Sequence, residues 1–443
     1  MKPDLNLFLC YMKLIFPFFN FFVAILVFGC SVSKKNIAVS VEMEQGKNNF
    51  AKKDQLLTNL LYRYPQYFKS ILDNNDKWKA QIIYTQIDRG QNGDPSFTNH
   101  YFNVDKHRYY YPASTVKMPV AVLSLQRLNE LKIAGLNRKT TMITDEGLKG
   151  QTGVFNDPTS EDGRPTIEHY IKKIFLVSDN DAFNRLYEFL GQEYINNSLH
   201  RMGYDSAQII HRLSIAMNEE QNRTTNPIKF YNAANKIIYQ QPLIRSDLSY
   251  HPRQILLGKG FISGDKLINE PFDFSKKNRL ALTDLHSMLL SIMFPASVSK
   301  DQRFNLTEED YRFLYRQMSM LPKESKFPSY DTSYFDAYVK FLLYGGSGAI
   351  DNPSIRIFNK VGDAYGFLTD AAYIVDFKNN IEFILSANIY CNTDEIFNDD
   401  NYDYDTVGFP FMKNLGKVIY DYELKRQRKT KPDLSSFKIN YAD

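Results

Sequence analysis

Residues 355–390 read IRIFNKVGDAYGFLTDAAYIVDFKNNIEFILSANIY. Three β-rich runs lie in this stretch, Ile355–Lys360, Ala371–Phe377 and Ile381–Tyr390, and Lys378-Asn379-Asn380 gives the last two a tight polar connection. Far upstream, Ala80–Asp88 is a similar run. The turn cluster Arg89-Gly90-Gln91-Asn92-Gly93-Asp94 separates it from Phe97–Val104, which predicts a hairpin. Between these two strand regions the pattern is helical. Ala121, Leu125 and Leu128 recur at i, i+4, i+7, as do Ile167, Ile171 and Ile174. Ala182, Leu186, Phe189 and Leu190 follow, with Gly191 as a helix stop. Phe411, Leu415, Val418 and Tyr422 mark a last helix before the basic stretch containing Lys425, Arg426, Arg428 and Lys429. Two strands, a long helical middle, three strands and a helix predict an α+β fold. One antiparallel sheet is built from both chain ends, and the middle forms an all-helical lobe.

The chain has 443 residues, 54 Lys+Arg against 50 Asp+Glu and a hydrophobic fraction of 43%, which excludes a disordered chain and a polytopic membrane protein. A formal charge of +4 gives no case for a nucleic-acid partner. Two of the three cysteines, Cys10 and Cys30, fall in the first thirty residues, and Cys391 stands apart, so a disulfide framework is not expected. The seven histidines form no His-x-His or His-Glu-x-x-His pattern and no glycine-rich phosphate loop is present; neither a metal nor another cofactor is expected.

Lys2 and Lys13 precede Leu14–Ser33, an uncharged and mostly apolar run interrupted by Pro17 and Asn20. Residues 1–29 read as a signal peptide, residues 30–74 as a tether and N-terminal helix, 75–425 as the main folded domain, and 426–443 as a basic tail. A plain N-terminal membrane anchor is the alternative for the first thirty residues.

Ser114-Thr115-Val116-Lys117 opens the first helical segment. A hydroxyl and an amine at i and i+3 share one helix face, so a partly neutral amine can act on the hydroxyl. Ser-x-x-Lys occurs five times in the chain, starting at Ser31, Ser114, Ser263, Ser297 and Ser435, so context has to choose among them. Ser178-Asp179-Asn180 lies between two helical patterns. It can present a proton-relaying hydroxyl and a carbonyl-holding amide, or simply cap a helix. Lys360-Val361-Gly362 ends a β-rich run, where a lysine and a small residue would admit an extended acyl substrate.

These three motifs, in this order and setting, resemble the class A serine β-lactamases and related penicillin-binding enzymes. The fuller matches are Tyr111-Pro112-Ala113-Ser114-Thr115-Val116-Lys117-Met118-Pro119, Leu176-Val177-Ser178-Asp179-Asn180-Asp181-Ala182 and Lys360-Val361-Gly362-Asp363-Ala364-Tyr365-Gly366. The resemblance spans roughly residues 75 to 425, except much of 240 to 345. It implies Ser114 as the acylated nucleophile, Lys117 as its base or proton shuttle and Ser178 as proton donor to the leaving nitrogen. It further implies Asn180 and Lys360 as holders of the substrate amide and carboxylate. Gly362 belongs to the same strand motif, and the backbone N–H groups of Ser114 and Asp363 would form an oxyanion hole. Val27-Phe28-Gly29-Cys30 resembles a bacterial lipobox, which implies lipidation at Cys30 and a lipid-anchored protein of the cell envelope facing the periplasm.

The pattern departs from the family in two places. The family's loop reads Arg-x-Glu-Pro-x-Leu-Asn, and its glutamate activates the deacylating water. Here Arg212-Leu213-Ser214-Ile215-Ala216-Met217-Asn218 keeps the ends, Arg212 and Asn218, and puts Ser214 at the glutamate position. Asn222-Arg223-Thr224-Thr225-Asn226-Pro227 lacks the acidic residue of the family's loop end, and Val361 replaces a threonine or serine. A serine is a poor base at neutral pH, so an acyl-enzyme should form and linger unless Glu219 or Glu220 substitutes.

The spacing of 182 residues from Ser178 to Lys360 points to an insertion within about 236–347, in which Tyr338, Phe341 and Leu342 fall at helical spacing. It reads as an added helical cap beside the cleft or as an extension of the core. The expected function is a monomeric serine hydrolase opening β-lactam or related amide bonds. The alternatives are a D-alanyl peptidase-like enzyme acting on cell-wall peptides and a non-catalytic cell-wall-binding lipoprotein.

Overall fold

In the computed structural model residues 55–350 and 352–441 are described, so the expected signal peptide and the lipobox-like stretch at Cys30 lie outside the described residues. Five antiparallel strands make the central sheet: β1 (Gln81–Arg89), β2 (Pro95–Phe102), β3 (Ile355–Ala364), β4 (Phe367–Asp376) and β5 (Ile381–Tyr390). Their order is β3-β4-β5-β1-β2, with the two chain ends joined where Tyr84 of β1 faces Leu385 of β5. The β3–β4 hairpin turns on Tyr365 and Gly366, both at positive φ, as a two-residue loop between long strands requires. In the β4–β5 connection the Asp376 carboxylate accepts from the backbone N–H groups of Lys378 and Asn379.

Alternation along the strands sorts the side chains into two layers. Ile82, Tyr84, Leu368, Ala372, Ile374, Leu385 and Ala387 pack with helices α1 (Gln55–Tyr62) and α2 (Pro65–Leu72) and the long C-terminal helix Phe409–Lys425. Ile83, Ile87, Ala371, Tyr373, Val375 and Ile384 belong to the core shared with the helical lobe. That lobe contains α3 (Lys117–Leu131), α4 (Ile167–Val177), α5 (Asn180–Leu190), α6 (Gln192–Arg201), α7 (Leu282–Met293) and α8 (Glu308–Ser319). Burying one such Leu, Ile or Phe contributes about 1.5–3 kcal/mol, so both faces of the sheet are held chiefly by apolar area.

The insertion is chiefly an extension of the core. Helix α7 places Leu285, Met288, Leu289 and Ile292 in the cluster that includes the sheet, and α8 adds Leu314 and Met318. Residues 337–344 are turns, not the helix that the spacing of Tyr338, Phe341 and Leu342 predicts, although Phe341 and Leu342 are buried. The C-terminal stretch also differs from a free basic tail. Phe437 packs on Tyr373 and Phe358 with ring centroids 4.9 and 5.6 Å apart, and Arg426 bonds to Asp88 and Glu423. Two apolar residues, Leu434 and Phe437, are enough to dock a segment whose charges find partners. Helices α1 and α2 likewise belong to the same compact unit as the sheet.

Candidate active site

Edge strand β3 runs against the turn that carries Ser114. A side chain on Gly362 would put its first carbon 2.7 Å from the Pro112 carbonyl oxygen and 2.9 Å from the backbone nitrogens of Ser114 and Thr115, so only glycine permits this approach. Ser114 lies in a 3₁₀ turn, Ala113–Val116, that leads into α3, and Thr115 Oγ1 bonds the Pro112 carbonyl at 2.6 Å. Ala113, directly before the serine, has φ +45°, a strained backbone for a residue with a Cβ.

Lys117 is the first residue of α3 and is fully buried. Its Nζ donates to the Ser178 carbonyl, to Asn180 Oδ1 at 2.7 Å and to Ser178 Oγ at 3.3 Å. Burial lowers its pKa to about 7, against the pull of the Asp179 and Asp363 carboxylates. Ser178 terminates α4 in the left-handed conformation, φ +61°, and Asp179 caps α5 by accepting from the Ala182 N–H at 2.8 Å. Helix capping and side-chain presentation coexist here, because Asp179 serves the cap and leaves Ser178 and Asn180 free to face Lys117.

From the other side Lys360 Nζ donates to Ser178 Oγ at 2.8 Å and to the Val361 carbonyl at 2.9 Å. Burial, then the nearby Lys117 charge, hold the Lys360 ammonium well below its ordinary pKa. Ser178 Oγ therefore sits between two amines. With its lone pairs taken by lysine N–H groups, the hydroxyl proton is left to donate elsewhere. Gly362 and Asp363 continue β3 past Lys360, and Asp363 brings a carboxylate into the field of both lysines. Val361 is packed in the apolar layer that holds the terminal helices.

The loop 212–218 closes the site from below. Ser214, at φ +54°, accepts from Asn180 Nδ2 at 2.8 Å. Asn218 is turned to the short helix Glu219–Arg223, where it forms a capping box with Gln221. Glu219 pairs with Arg223 and Lys276, and Glu220 pairs with Arg245, so both carboxylates are held in surface ion pairs.

Two anchors of this loop were not read from the sequence. Arg212 Nε donates to Glu188 Oε1 at 2.8 Å with both side chains 1% exposed, and Arg185 binds the other Glu188 oxygen at 2.9 Å. Asn184 brackets the loop by donating to the Leu213 carbonyl and accepting from its N–H. Glu188 thus supplies the carboxylate that the loop's own end lacks. Asn184 and Glu188 lie one turn apart on the stripe of α5 that also carries Asn180, Asp181 and Arg185, so the helix periodicity gives no sign of their burial.

Among the described residues, no group of three or more His, Cys, Asp or Glu side chains is placed to hold a metal ion. His286 is buried between Thr85 Oγ1 and Ser386 Oγ at 2.7 and 2.8 Å, and burial lowers its pKa to about 3. His211 stacks on Tyr111, and His200 bonds the Ala207 carbonyl.

Residues 65–256 match the family model described as the β-lactamase enzyme family. No curated protein sequence matches the chain. Solved structures similar to this chain include PBP-A, at 16% identity and a TM-score of 0.45, covering 83% of this chain and 96% of that one. They also include the class A β-lactamase from Clostridium kluyveri, at 16% identity and a TM-score of 0.44, covering 81% and 98%. The β-lactamase from Sphaerobacter thermophilus is similar at 10% identity and a TM-score of 0.43, covering 83% and 96%. The segment that matches this family model, residues 65–256, carries Ser114, Lys117, Ser178 and Asn180, while Lys360 lies outside it.

Proposed function

We propose that the protein is a serine hydrolase that opens β-lactam or related amide bonds through an acyl-Ser114 intermediate, with slow deacylation. The observation that carries this reading is the Lys117–Ser178–Lys360 chain beside the Ser114 turn. Neutral Lys117 takes the Ser114 Oγ proton as the oxygen adds to the amide carbonyl. The developing oxyanion faces the N–H groups of Ser114 and Asp363. Collapse breaks the C–N bond, the leaving nitrogen takes the Ser178 proton, and protonated Lys117 refills Ser178. Incubation with a fluorescent penicillin should label the wild-type chain and leave Ser114→Ala unlabelled; equal labelling of both would refute the reading.

Hydrolysis of the acyl-enzyme needs a base for water, and Ser214 offers none at neutral pH. Ser214→Glu should speed turnover of a chromogenic cephalosporin by about 10²–10⁴-fold, the usual worth of a positioned general base. Unchanged turnover in that variant would separate Ser214 from the deacylation step.

The cleft also argues for a substrate with little negative charge. Asp363 sets a carboxylate next to Lys360, and Val361 supplies no hydroxyl. We infer that neutral or cationic peptide amides are handled better than the carboxylate-bearing β-lactams. Asp363→Asn should raise the rate of labelling by an anionic penicillin several-fold, roughly the effect of one nearby charge. A slower rate in that variant would reverse the assignment. We further propose that Cys30 carries a lipid and holds the enzyme at the cell envelope. Cys30→Ser should then move the protein from the membrane to the soluble fraction, and continued membrane association would contradict it.

A further inference from the structure

Three buried polar side chains behind the cleft have no part in the steps above. Lys340, Asn359 and Asp370 are each at most 3% exposed. Lys340 Nζ donates to Asn359 Oδ1 at 2.6 Å and to the Met318 carbonyl at 2.9 Å. Asn359 Nδ2 donates to Asp370 Oδ1 and to the Val339 carbonyl, both at 2.9 Å. Asp370 Oδ2 accepts the Leu342 N–H at 3.0 Å. The Asn359 amide therefore bridges an amine and a carboxylate through an atom of each sense.

The position of this bridge matters more than its strength. Asn359 directly precedes Lys360 on β3, and Asp370 is the cross-strand partner of Val361. The network thus brackets Lys360 from both sides, and the insertion supplies Lys340 and the carbonyl of Val339. An isolated buried ammonium costs several kcal/mol, and so does an isolated buried carboxylate. The sequence retains both: Asp370 sits one residue from Ala371, the cross-strand partner of Lys360, and Lys340 is joined to Asn359, the residue before Lys360. Burial lowers the Lys340 pKa to about 7 and raises that of Asp370 to about 6, each partly countered by the other. The charges acting on Lys360 are Lys117, Asp363, Asp370 and Lys340; Arg356 and Glu324, which face Lys340, pair with each other at 2.6 Å.

We propose that Lys340, Asn359 and Asp370 form a positioning network that fixes β3 at Lys360 and balances the charge beside it, so that Lys360 keeps its proton for Ser178 and for the substrate. This rests on the reading of Lys360 as a substrate-holding residue. A lone Lys340 cation would drive the Lys360 proton off, and a lone Asp370 anion would hold it on. Together they cancel to first order. Passing the proton from Lys340 to Asp370 leaves the sum unchanged, so the balance holds wherever the pair shares that one proton.

The test uses the full chain without substrate, with Lys360 titrated by NMR of labelled lysine side chains, and in parallel the pH profile of penicillin labelling. Lys340→Met should raise the Lys360 midpoint by about one pH unit, a tenfold change in proton affinity. Asp370→Asn should lower it by a similar amount, and the double variant should return it close to the parent value. The alkaline limb of labelling should move in step. Two single variants that shift the midpoint in the same direction, or not at all, would overturn the proposal. Should the single variants fail to fold, a folded double variant with a parental midpoint supports the charge balance, and a double variant no better than either single overturns it. The titration needs no acylation, so a chain that takes no penicillin would refute the enzymatic reading while leaving the network's role to be judged on the midpoints.

Discussion

Replacing Lys117 by methionine is expected to slow acylation of Ser114 by about 10²–10⁴-fold, the usual worth of a positioned general base. Methionine matches the length of the lysine stem but leaves the Ser178 carbonyl and Asn180 Oδ1 without their donor, so the protein should remain folded with a modestly lower melting temperature. Wild-type acylation should also depend on pH with a definite sign. Burial lowers the Lys117 pKa to about 7, and only its neutral form can accept the serine proton. The rate should therefore rise as pH increases through about 7 and fall away on the acid side. That limb should disappear in Lys117→Met. A variant retaining more than a tenth of the wild-type rate, with the limb intact, would assign the proton transfer to another group.

Glu188→Gln should cost about 3–5 kcal/mol of stability, because it leaves Arg212 buried without its counter-charge. Both partners are almost wholly enclosed. Its remaining bonds, to the carbonyls of Gln221 and Thr224 and to Asn226 Oδ1, are to neutral acceptors. Chemical denaturation would measure the loss, and a double-mutant cycle with Arg212→Gln would isolate the pair. The loop carrying Ser214 hangs from this pair and from Asn184, so loosening of the site should accompany the loss. A cost below about 1 kcal/mol would mean that the loop is held mainly by its backbone bonds.

β-rich composition and helix periodicity made the sheet and the helices at 117–131, 167–177 and 180–190 legible, since the central strands are buried on both faces and each helix buries a continuous apolar stripe. The short motifs placed Ser114, Lys117, Ser178, Asn180 and Lys360, whose spacing is set by local elements. The anchors of the 212–218 loop were hidden for a different reason. Glu188 and Arg212 are 24 residues apart, and a charged residue on the polar stripe of an amphipathic helix gives no sign that it is buried against a partner. The docking of residues 434–437 was obscured because two apolar side chains among lysines and arginines carry no period. Tyr338, Phe341 and Leu342 show the converse error. Helical spacing arose there in a run of turns, fastened through Lys340 and the Leu342 N–H to Asn359 and Asp370.

The close packing of Gly362 on the Ser114 turn joins these observations to function. It sets the edge of the sheet beside the nucleophile, so that Lys360 and Lys117 approach Ser178 from opposite sides. The sheet, the two helices flanking Ser178 and the loop at 212–218 each contribute one wall, so the site is assembled from segments far apart in the sequence.

The central claim is that Ser114 becomes covalently acylated and stays so. Intact mass spectrometry after incubation with penicillin, followed by peptide mapping over time, measures both parts at once. The account predicts a single added acyl group on Ser114 that persists long after free penicillin is removed. An unmodified protein, or an adduct on a different residue, would contradict it.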